Sequence, residues 1–151
     1  MSDLAALLAG ARLRVTPQRL RLLELVNAGG HLTADDLYRM ACRGLPGLSA
    51  TSIYKSLHAL QAAGLVREVY LGAGPVRYDA NLGRHHHRIC RSCGRIEDVA
   101  CPASSGSGCV DGHELGDFSV DRIEITYRGL CGDCRSPRET GPAVAGDEEA
   151  R

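Results

Sequence analysis

Apolar positions recur at helical spacing in the first part of the chain, and capping signals divide it into three predicted helices. Thr16 before Pro17 is typical of an N-cap followed by a first helical residue. Thr33, with Asp36 three residues later, has a capping-box-like pattern. Ser49 begins the third predicted helix. The stop signals that follow are Gly29-Gly30, Pro46-Gly47 and Gly64.

The third predicted helix has one face to bury, because Ile53, Leu57 and Leu60 stand at positions i, i+4 and i+7. Two short strand patterns come after it and predict a hairpin. Three helices followed by a hairpin are the order of a winged helix-turn-helix, which we predict for residues 1–80. The strand patterns run from Leu65 to Leu71 and from Val76 to Asp79, with a turn at residues 72–75.

Residues 84–135 have a different pattern, with strand-like segments and many potential metal ligands. Arg95 to Val99 is one predicted strand. Phe118 to Tyr127 is another, in which Ile123 and Ile125 alternate with polar residues. The Ser- and Gly-rich stretch 103–112 predicts a mobile loop, and residues 136–151 predict a disordered tail. The expected fold class is α+β.

Composition restricts the class of protein without naming it. The 151 residues include no Trp and one Phe, so the core must consist mainly of aliphatic side chains. No apolar run approaches the roughly 18 residues of a membrane span, and the N-terminus lacks the features of a secretion signal, so we expect a cytoplasmic protein. Residues 1–80 hold nine basic and six acidic side chains, and this excess of +3 permits contact with nucleic acid.

Two cysteine pairs give the sharpest chemical signal. Cys90 and Cys93 form one CxxC pair, and Cys131 and Cys134 form the other. Four thiolates complete a closed tetrahedral zinc site, whose role is structural. The alternatives are a redox disulfide or unpaired core cysteines, but two CxxC pairs in a chain without a secretion signal favour zinc.

A run of three histidines suggests a second metal site. Alternate residues of a strand point to the same side, so His85 and His87 could bind one ion while His86 faces away. Asp79 and Asp98 lie nearby in sequence and could complete the site. Imidazoles and carboxylates suit Fe(II) or Mn(II). The alternative is an exposed polar stretch with no ligand role.

Several motifs together resemble the ferric uptake regulator family. The resemblance covers roughly residues 10–135 and depends on the combination rather than on any single element. It implies a dimeric, metal-activated transcriptional repressor, with an N-terminal winged helix and a small C-terminal α/β dimerisation domain in residues 84–135. The motifs are residues 15–19 (VTPQR), 31–38 (HLTADDLY), 52–57 (SIYKSL), 64–66 (GLV), 85–94 (HHHRICRSCG) and 129–134 (GLCGDC).

The resemblance also implies which residues bind metal. It places the structural zinc on the four cysteines named above, and it implies a regulatory site that bridges the two domains. His31 enters the regulatory set only through the resemblance, because a single histidine after two glycines is more often a solvated loop residue. The implied regulatory ligands are His31, Asp79, His85, His87 and Asp98.

Asp at positions 79 and 98 resembles the peroxide-sensing branch, in which bound ferrous iron reacts with peroxide and a ligand histidine is oxidised. Cys101 and Cys109 also resemble the catalase-gene repressors of that branch, and they could form a reversible disulfide or have no role. Two features depart from the family. Arg84 and Ile123 occupy positions where a further site found in some members would need ligands, and residues 102–116 are a poor match to its dimerisation helix.

The expected function is metal-dependent, peroxide-responsive repression through palindromic operator DNA bound by a homodimer. The alternative is an iron-, zinc- or nickel-sensing repressor of the same family. We expect no enzyme and no small-molecule substrate, since the chain has no HExxH motif and Glu97 should face away from Asp98. A zinc-storage protein would not explain the helices and hairpin. The predicted DNA contacts are Arg19, Ser49, Thr51, Ser52, Tyr54 and Lys55, although Tyr54 could instead be partly buried.

Overall fold

A computed structural model describes residues 2–72, 74–100, 114–120 and 123–135. The first part contains four helices, one more than the sequence predicts. The additional helix precedes Thr16 and buries Leu8 completely. The helices are α1 (Ser2–Gly10), α2 (Pro17–Asn27), α3 (Ala34–Gly44) and α4 (Ala50–Ala62).

The capping signals of the sequence appear in the structure as hydrogen bonds. The Thr16 hydroxyl accepts the Arg19 backbone N–H at 3.3 Å, at the start of α2. Thr33 and Asp36 form a reciprocal capping box at the start of α3. Ser49 caps α4, and Gly64 adopts a positive φ of 68° just beyond its end. The three predicted helix starts are therefore confirmed.

One apolar core holds the helices together. The i, i+4, i+7 stripe of α4 is fully buried, and leucines of α2 and α3 pack against it. The carboxamide of Gln18 joins α2 to α4, donating to the Ser52 carbonyl at 2.6 Å and to the Ser56 hydroxyl at 2.7 Å. The largest fully buried apolar residues of this core are Leu8, Leu22, Leu23, Leu37, Ile53, Leu57 and Leu60.

A small antiparallel sheet completes the first part in the order β1-β3-β2. Its strands are β1 (Leu32–Thr33), β2 (Arg67–Val69) and β3 (Arg77–Asp79). The predicted hairpin is present with shorter strands, and β1 was not predicted. Arg67 stands directly opposite Asp79 in the pairing of β2 with β3.

The second part contains another three-stranded sheet, with the order β5-β4-β8 and longer strands, which is called the large sheet below. Its strands are β4 (His85–Cys90), β5 (Ile96–Ala100) and β8 (Thr126–Gly129), and a short 3₁₀ helix covers Gly132–Cys134. β4 pairs antiparallel with β5 and parallel with β8. A separate two-stranded hairpin consists of β6 (Glu114–Leu115) and β7 (Phe118–Ser119). The chain thus has the mixed α+β class expected from its sequence.

The prediction of one strand from Phe118 to Tyr127 is wrong. The chain pairs at β7, and only from Thr126 does it join the large sheet through β8. Ile123 and Ile125 precede β8, although their alternation had indicated a strand. The Ile125 carbonyl still accepts the His87 N–H at 3.0 Å, so this segment runs beside β4 without extending the ladder.

The predicted boundary between domains, at residues 81–83, falls between β3 and β4. The two parts are also joined at the turn between β2 and β3, called the wing turn below. There Arg128 of β8 donates to the Leu71 carbonyl at 2.5 Å. Gly72 has a φ of 99°, and a Cβ at this position would overlap the Arg128 guanidinium.

Several predictions concern residues outside the described ranges. These are Cys101, Cys109, the loop 103–112, most of segment 102–116 and the tail 136–151. Among the described helices, none is long and apolar enough to cross a membrane.

Candidate metal centres

The four CxxC cysteines come together at one end of the large sheet. Cys90 ends β4, Cys93 lies in the turn before β5, and Cys131 and Cys134 flank the 3₁₀ helix. One sulfur from each lies within 4.8 Å of the other three, and the Sγ atoms of Cys93 and Cys131 are 3.7 Å apart. Sulfurs around a tetrahedral zinc ion with bonds of about 2.3 Å are about 3.8 Å apart, so this geometry suits a structural zinc site.

The electrostatics of the cluster also favour a cation. Backbone N–H groups of Cys93 and Cys131 lower the pKa of the Cys90 thiol to about 6, and the Cys131 N–H lies 3.3 Å from the Cys90 sulfur. At Cys134 a hydrogen bond with Ser92 acts to lower the pKa, but the neighbouring cysteines raise it to about 12. The protein alone therefore stabilises some thiolates of the cluster and not others. A divalent ion would allow all four to ionise.

The second cluster lies where the two parts of the chain meet. His31, Asp79, His85 and His87 each place a ligand atom within 4.8 Å of the others, and all four side chains are buried. Asp98 completes the predicted set from β5, with Oδ1 lying 3.1 Å from His31 Nε2 and 3.7 Å from His85 Nε2. The structure therefore brings all five predicted regulatory residues together.

His31 reaches this cluster through an unusual backbone. Gly29, Gly30 and His31 have φ values of 87°, 102° and 48°, all in the left-handed region. That conformation is strained for histidine, and such strain is often stored at functional sites. Arg77 holds it in place by donating to the His31 carbonyl at 2.7 Å. The two glycines therefore turn the histidine inward rather than toward solvent.

Two histidines of the cluster, His31 and His87, are held in the neutral form that can bind metal. Burial, together with the neighbouring His31 and His85 rings, lowers the pKa of His87 to about 4. Burial also lowers the pKa of His31. His31 Nδ1 and His87 Nδ1 are buried and have no hydrogen-bond partner within the described part of the chain, whereas His31 Nε2 faces Asp98 Oδ1 at 3.1 Å. Buried polar nitrogens without partners are costly, so this donor set fits a metal ion.

Asp98 and its neighbour face different sides of β5, as the sequence predicted. Glu97 pairs with Arg88 at 2.7 Å, away from the histidines. Partial burial acts to raise the pKa of Asp98, but a hydrogen bond from Asn81 and the nearby histidines hold it below its usual value. Asp98 is therefore an anion aimed at the cluster.

Sequence reasoning missed two residues that position Asp79 and Asp98. The Asn81 backbone N–H donates to Asp79 Oδ1 at 2.7 Å, and its side chain donates to Asp98 Oδ2 at 2.8 Å. Arg67 donates to Asp79 Oδ2 from both Nε and Nη2. The sequence did show a basic residue, Arg67, in the first strand of the predicted hairpin. Its contact with Asp79 could be recognised only once the pairing register of β2 and β3 was known.

His86 faces the other side of β4 but is not solvated. It is 2% exposed, and the Ile125 N–H lies 3.4 Å from its Nδ1 atom. Its ring also lies against Tyr127 of β8. The alternative of an exposed polar stretch is therefore wrong for all three histidines of the run.

The predicted DNA contacts lie on or beside α4. Tyr54 is 50% exposed, which leaves one side of its ring open to a ligand, and Lys55 and Thr51 are also exposed. Ser49 is used as the cap of α4, and the Ser52 hydroxyl donates to the Ser49 carbonyl at 2.8 Å. Arg19 is half-buried, and its guanidinium donates to the Arg14 carbonyl at 2.9 Å. The open side of α4 therefore carries Thr51, Tyr54 and Lys55.

Comparison with known proteins agrees with this architecture. The sequence model of the Ferric uptake regulator family matches residues 10–105. Transcriptional regulator FurA of Mycobacterium tuberculosis is 41% identical over 133 residues, covering 87% of this chain and 90% of the relative. The Peroxide operon regulator of Bacillus subtilis is 35% identical over 122 residues, covering 80% and 83%.

A solved structure shows the same fold. The ferric uptake regulator of Francisella tularensis with iron aligns with a TM-score of 0.62 and 24% identity, over 82% of this chain and 96% of that chain. The relatives are named as transcriptional regulators, not enzymes, in agreement with the sequence-based expectation. The chain belongs to the ferric uptake regulator family of transcriptional regulators.

Proposed function

We propose that this protein is a metal-dependent, peroxide-responsive transcriptional repressor that acts in the cytoplasm as a homodimer on palindromic operator DNA. The observation that carries the proposal is the second cluster. It takes His31 and Asp79 from residues 2–80, the helical part with its small sheet, and His85, His87 and Asp98 from residues 84–135, the sheet part. A site made from both parts couples ion binding directly to their relative orientation.

The two clusters have separate roles in this proposal. The four cysteines hold Zn²⁺ permanently and so stabilise the fold of residues 84–135. The regulatory cluster holds Fe²⁺ or Mn²⁺ exchangeably, as suits nitrogen and oxygen donors. Asp at positions 79 and 98, together with the similarity to a peroxide operon regulator, supports peroxide sensing.

Binding at the regulatory cluster would fix the angle between the two parts. In a homodimer this angle sets the spacing of the two α4 helices, which must match half-sites on the duplex. The ion shifts the equilibrium only by its differential affinity for the DNA-competent state. When bound, Fe²⁺ supplies the one-electron chemistry by which peroxide oxidises a neighbouring imidazole. Oxidation of His31 or His85 removes a ligand from the cluster and so favours release of the DNA.

The DNA surface would be the open side of α4. The exposed Tyr54 ring can contact a thymine methyl, and Lys55 can reach a phosphate. Arg19 would need to leave the Arg14 carbonyl to reach DNA, whereas Ser49 and Ser52 would act mainly through their positions at the start of α4. Tyr54→Ala should weaken specific binding and leave zinc content and fold unchanged.

The experiment that tests the proposal measures operator affinity by fluorescence anisotropy with and without Mn²⁺, and with Fe²⁺ before and after peroxide. Wild-type protein should bind DNA much more tightly with metal, and peroxide should abolish the Fe²⁺-dependent binding. His31→Ala should lose the metal dependence. Arg88→Gln, which removes a surface ion pair with Glu97 outside both the cluster and α4, should retain the wild-type ratio. Full metal-dependent binding by His31→Ala would contradict the proposed coupling.

A second candidate is an iron-, zinc- or nickel-sensing repressor, favoured by the three imidazoles of the cluster, which suit Zn²⁺ and Ni²⁺ as well as Fe²⁺. The same assay separates the two functions. Operator binding that depends on Zn²⁺ or Ni²⁺, or Fe²⁺-dependent binding that survives peroxide, would favour this candidate over peroxide sensing.

A further inference from the structure

The guanidinium group of Arg67 lies directly against the predicted regulatory ligands. It extends from β2 opposite Asp79, and its side chain is only 12% exposed. Both Nε and Nη2 donate to Asp79 Oδ2, at 3.1 and 2.9 Å. Nη2 also lies 2.7 Å from His85 Nε2. A cation supplied by the chain itself is therefore bound to two of the five predicted ligands.

These contacts use the lone pairs that a metal would need. A carboxylate oxygen offers about two acceptor sites, and Arg67 occupies both on Asp79 Oδ2. The other oxygen, Oδ1, already accepts the Asn81 N–H at 2.7 Å.

At His85, Nδ1 lies 3.0 Å from the Gly83 carbonyl. In the tautomer that donates there, Nε2 carries the only ring lone pair, and Arg67 Nη2 donates to it at 2.7 Å. The same Nε2 lies 3.0 Å from Asp79 Oδ2 and 3.1 Å from His87 Nε2, so Arg67 stands among the groups that would share an ion. The lone pair of His85 and those of Asp79 Oδ2 are thus engaged by the same group.

The ion pair between Arg67 and Asp79 does not use the full hydrogen-bonding capacity of the guanidinium group. In the strongest arginine–carboxylate pairs, two parallel N–H groups bond two separate oxygens. Here both donors converge on one oxygen, and Nη1 is buried without a hydrogen-bond partner among the described residues. Part of the desolvation free energy of the guanidinium is therefore not offset by hydrogen bonds, and less free energy is needed to move the group away from Asp79.

We propose that Arg67 is an internal competitor for the regulatory metal: it neutralises Asp79 and occupies His85 in the metal-free protein, and it releases both ligands when a divalent cation binds. The inference rests on the regulatory site proposed above. Competition of this kind keeps the ion exchangeable, as a sensor requires. Because Arg67 is part of the β2–β3 hairpin, its release also changes the contacts of the DNA-binding part.

The test is a Mn²⁺ titration of the full-length, zinc-loaded protein, read by the electron paramagnetic resonance signal of free Mn²⁺ and by the thermal shift on loading. Arg67→Gln should bind Mn²⁺ about tenfold or more tightly than wild type, since at least one charge-assisted hydrogen bond no longer has to be broken. Its thermal shift on loading should be larger, because the metal-free cluster loses the arginine that is bound to Asp79 and His85.

Arg88→Gln is the matched control, because Arg88 lies on the same strand as His85 and His87 but pairs with Glu97 on the surface. It removes the same charge without touching a ligand and should leave Mn²⁺ affinity close to wild type. Arg67→Lys, which keeps the charge but offers one compact donor group, should give an intermediate affinity and serves if the glutamine variant does not fold.

The outcomes separate this inference from the proposed site. If the wild type binds Mn²⁺ and Arg67→Gln binds it with the same or a lower affinity, the proposed competition is wrong, since Arg67 would then support the ligands. An equal gain in Arg88→Gln would also overturn it, since net charge alone would be responsible. No Mn²⁺ binding by wild type and by both Arg67 variants would overturn the regulatory site itself.

Discussion

The helical part and the sheet part of this molecule are stabilised by different means. The helical part has a continuous apolar core in which residues such as Leu22, Leu37 and Leu57 are fully buried. In the large sheet the buried side chains are chiefly His85, His86, His87 and Cys90. One part therefore buries hydrocarbon, whereas the other buries potential metal ligands.

This difference separates stability from response. Burial of aliphatic side chains does not depend on solution conditions such as metal supply, so it suits the constant DNA-reading surface that we propose for the helical part. A cluster of ligands changes its free energy with the concentration of ion, so it suits a part that must respond. The regulatory cluster lies between the two parts and joins these properties.

Loss of the cysteine cluster should have the largest effect. Cys93→Ser removes one sulfur, and zinc binding to such sites contributes on the order of 10 kcal/mol to folding at neutral pH. We expect loss of bound zinc, measured by metal analysis, and rapid proteolysis of residues 84–135, with the helical signal largely retained. Cys42→Ser is the control, because Cys42 lies half-buried in α3 outside the cluster. Full zinc content in Cys93→Ser would contradict the four-cysteine site.

The apolar core should give the next largest effect. Leu57→Ala should cost about 3–4 kcal/mol in unfolding free energy, because the side chain is fully buried among α2, α3 and α4. Ile96→Ala, at a half-buried position of β5, should cost about 1 kcal/mol. Urea denaturation of both variants measures the contrast. Equal losses would show that the sheet part also depends on hydrocarbon burial.

The metal-free protein should lose stability on mild acidification. His87 has a folded-state pKa lowered to about 4, by burial and by the neighbouring His31 and His85 rings, against the ordinary value of 6.5. Below pH 6.5 His87 becomes protonated in the unfolded chain but stays neutral in the folded chain. The unfolding free energy therefore falls as the pH drops toward 4, by up to about 3 kcal/mol.

Thermal unfolding of zinc-loaded protein without regulatory metal, followed between these pH values, measures the slope. His87→Gln should flatten it. An unchanged slope in that variant would assign the acid sensitivity to other groups.

The contact across the wing turn should give the smallest effect. Arg128→Ala removes the hydrogen bond to the Leu71 carbonyl and should cost about 1 kcal/mol or less. We expect the unfolding transitions of the two parts, followed by helix signal and by zinc release, to move apart. Arg91→Ala, an exposed arginine of the sheet part, is the control. Coincident transitions in Arg128→Ala would show that the regulatory cluster alone couples the parts.

Local signals predicted much of the helical part correctly. Thr16, Thr33 and Ser49 cap helices through their own side chains, so the information lies within a few residues. Helix α1 was not predicted, because its nearly continuous apolar sequence does not separate a polar face from an apolar face; it is fixed by burial of Leu8 against the core. The alternation at Ile123 and Ile125 was misleading, because a strand also needs a partner in register.

The ligand types of both clusters follow from the sequence, since CxxC pairs and alternating histidines are local patterns. Only the tertiary structure decided that the left-handed turn at Gly29–His31 points an imidazole into the second cluster, and that Arg67 meets Asp79 across a hairpin. The physical reason is that a donor's chemistry belongs to its side chain, whereas its distance from a partner 12 or more residues away depends on how the backbone between them folds.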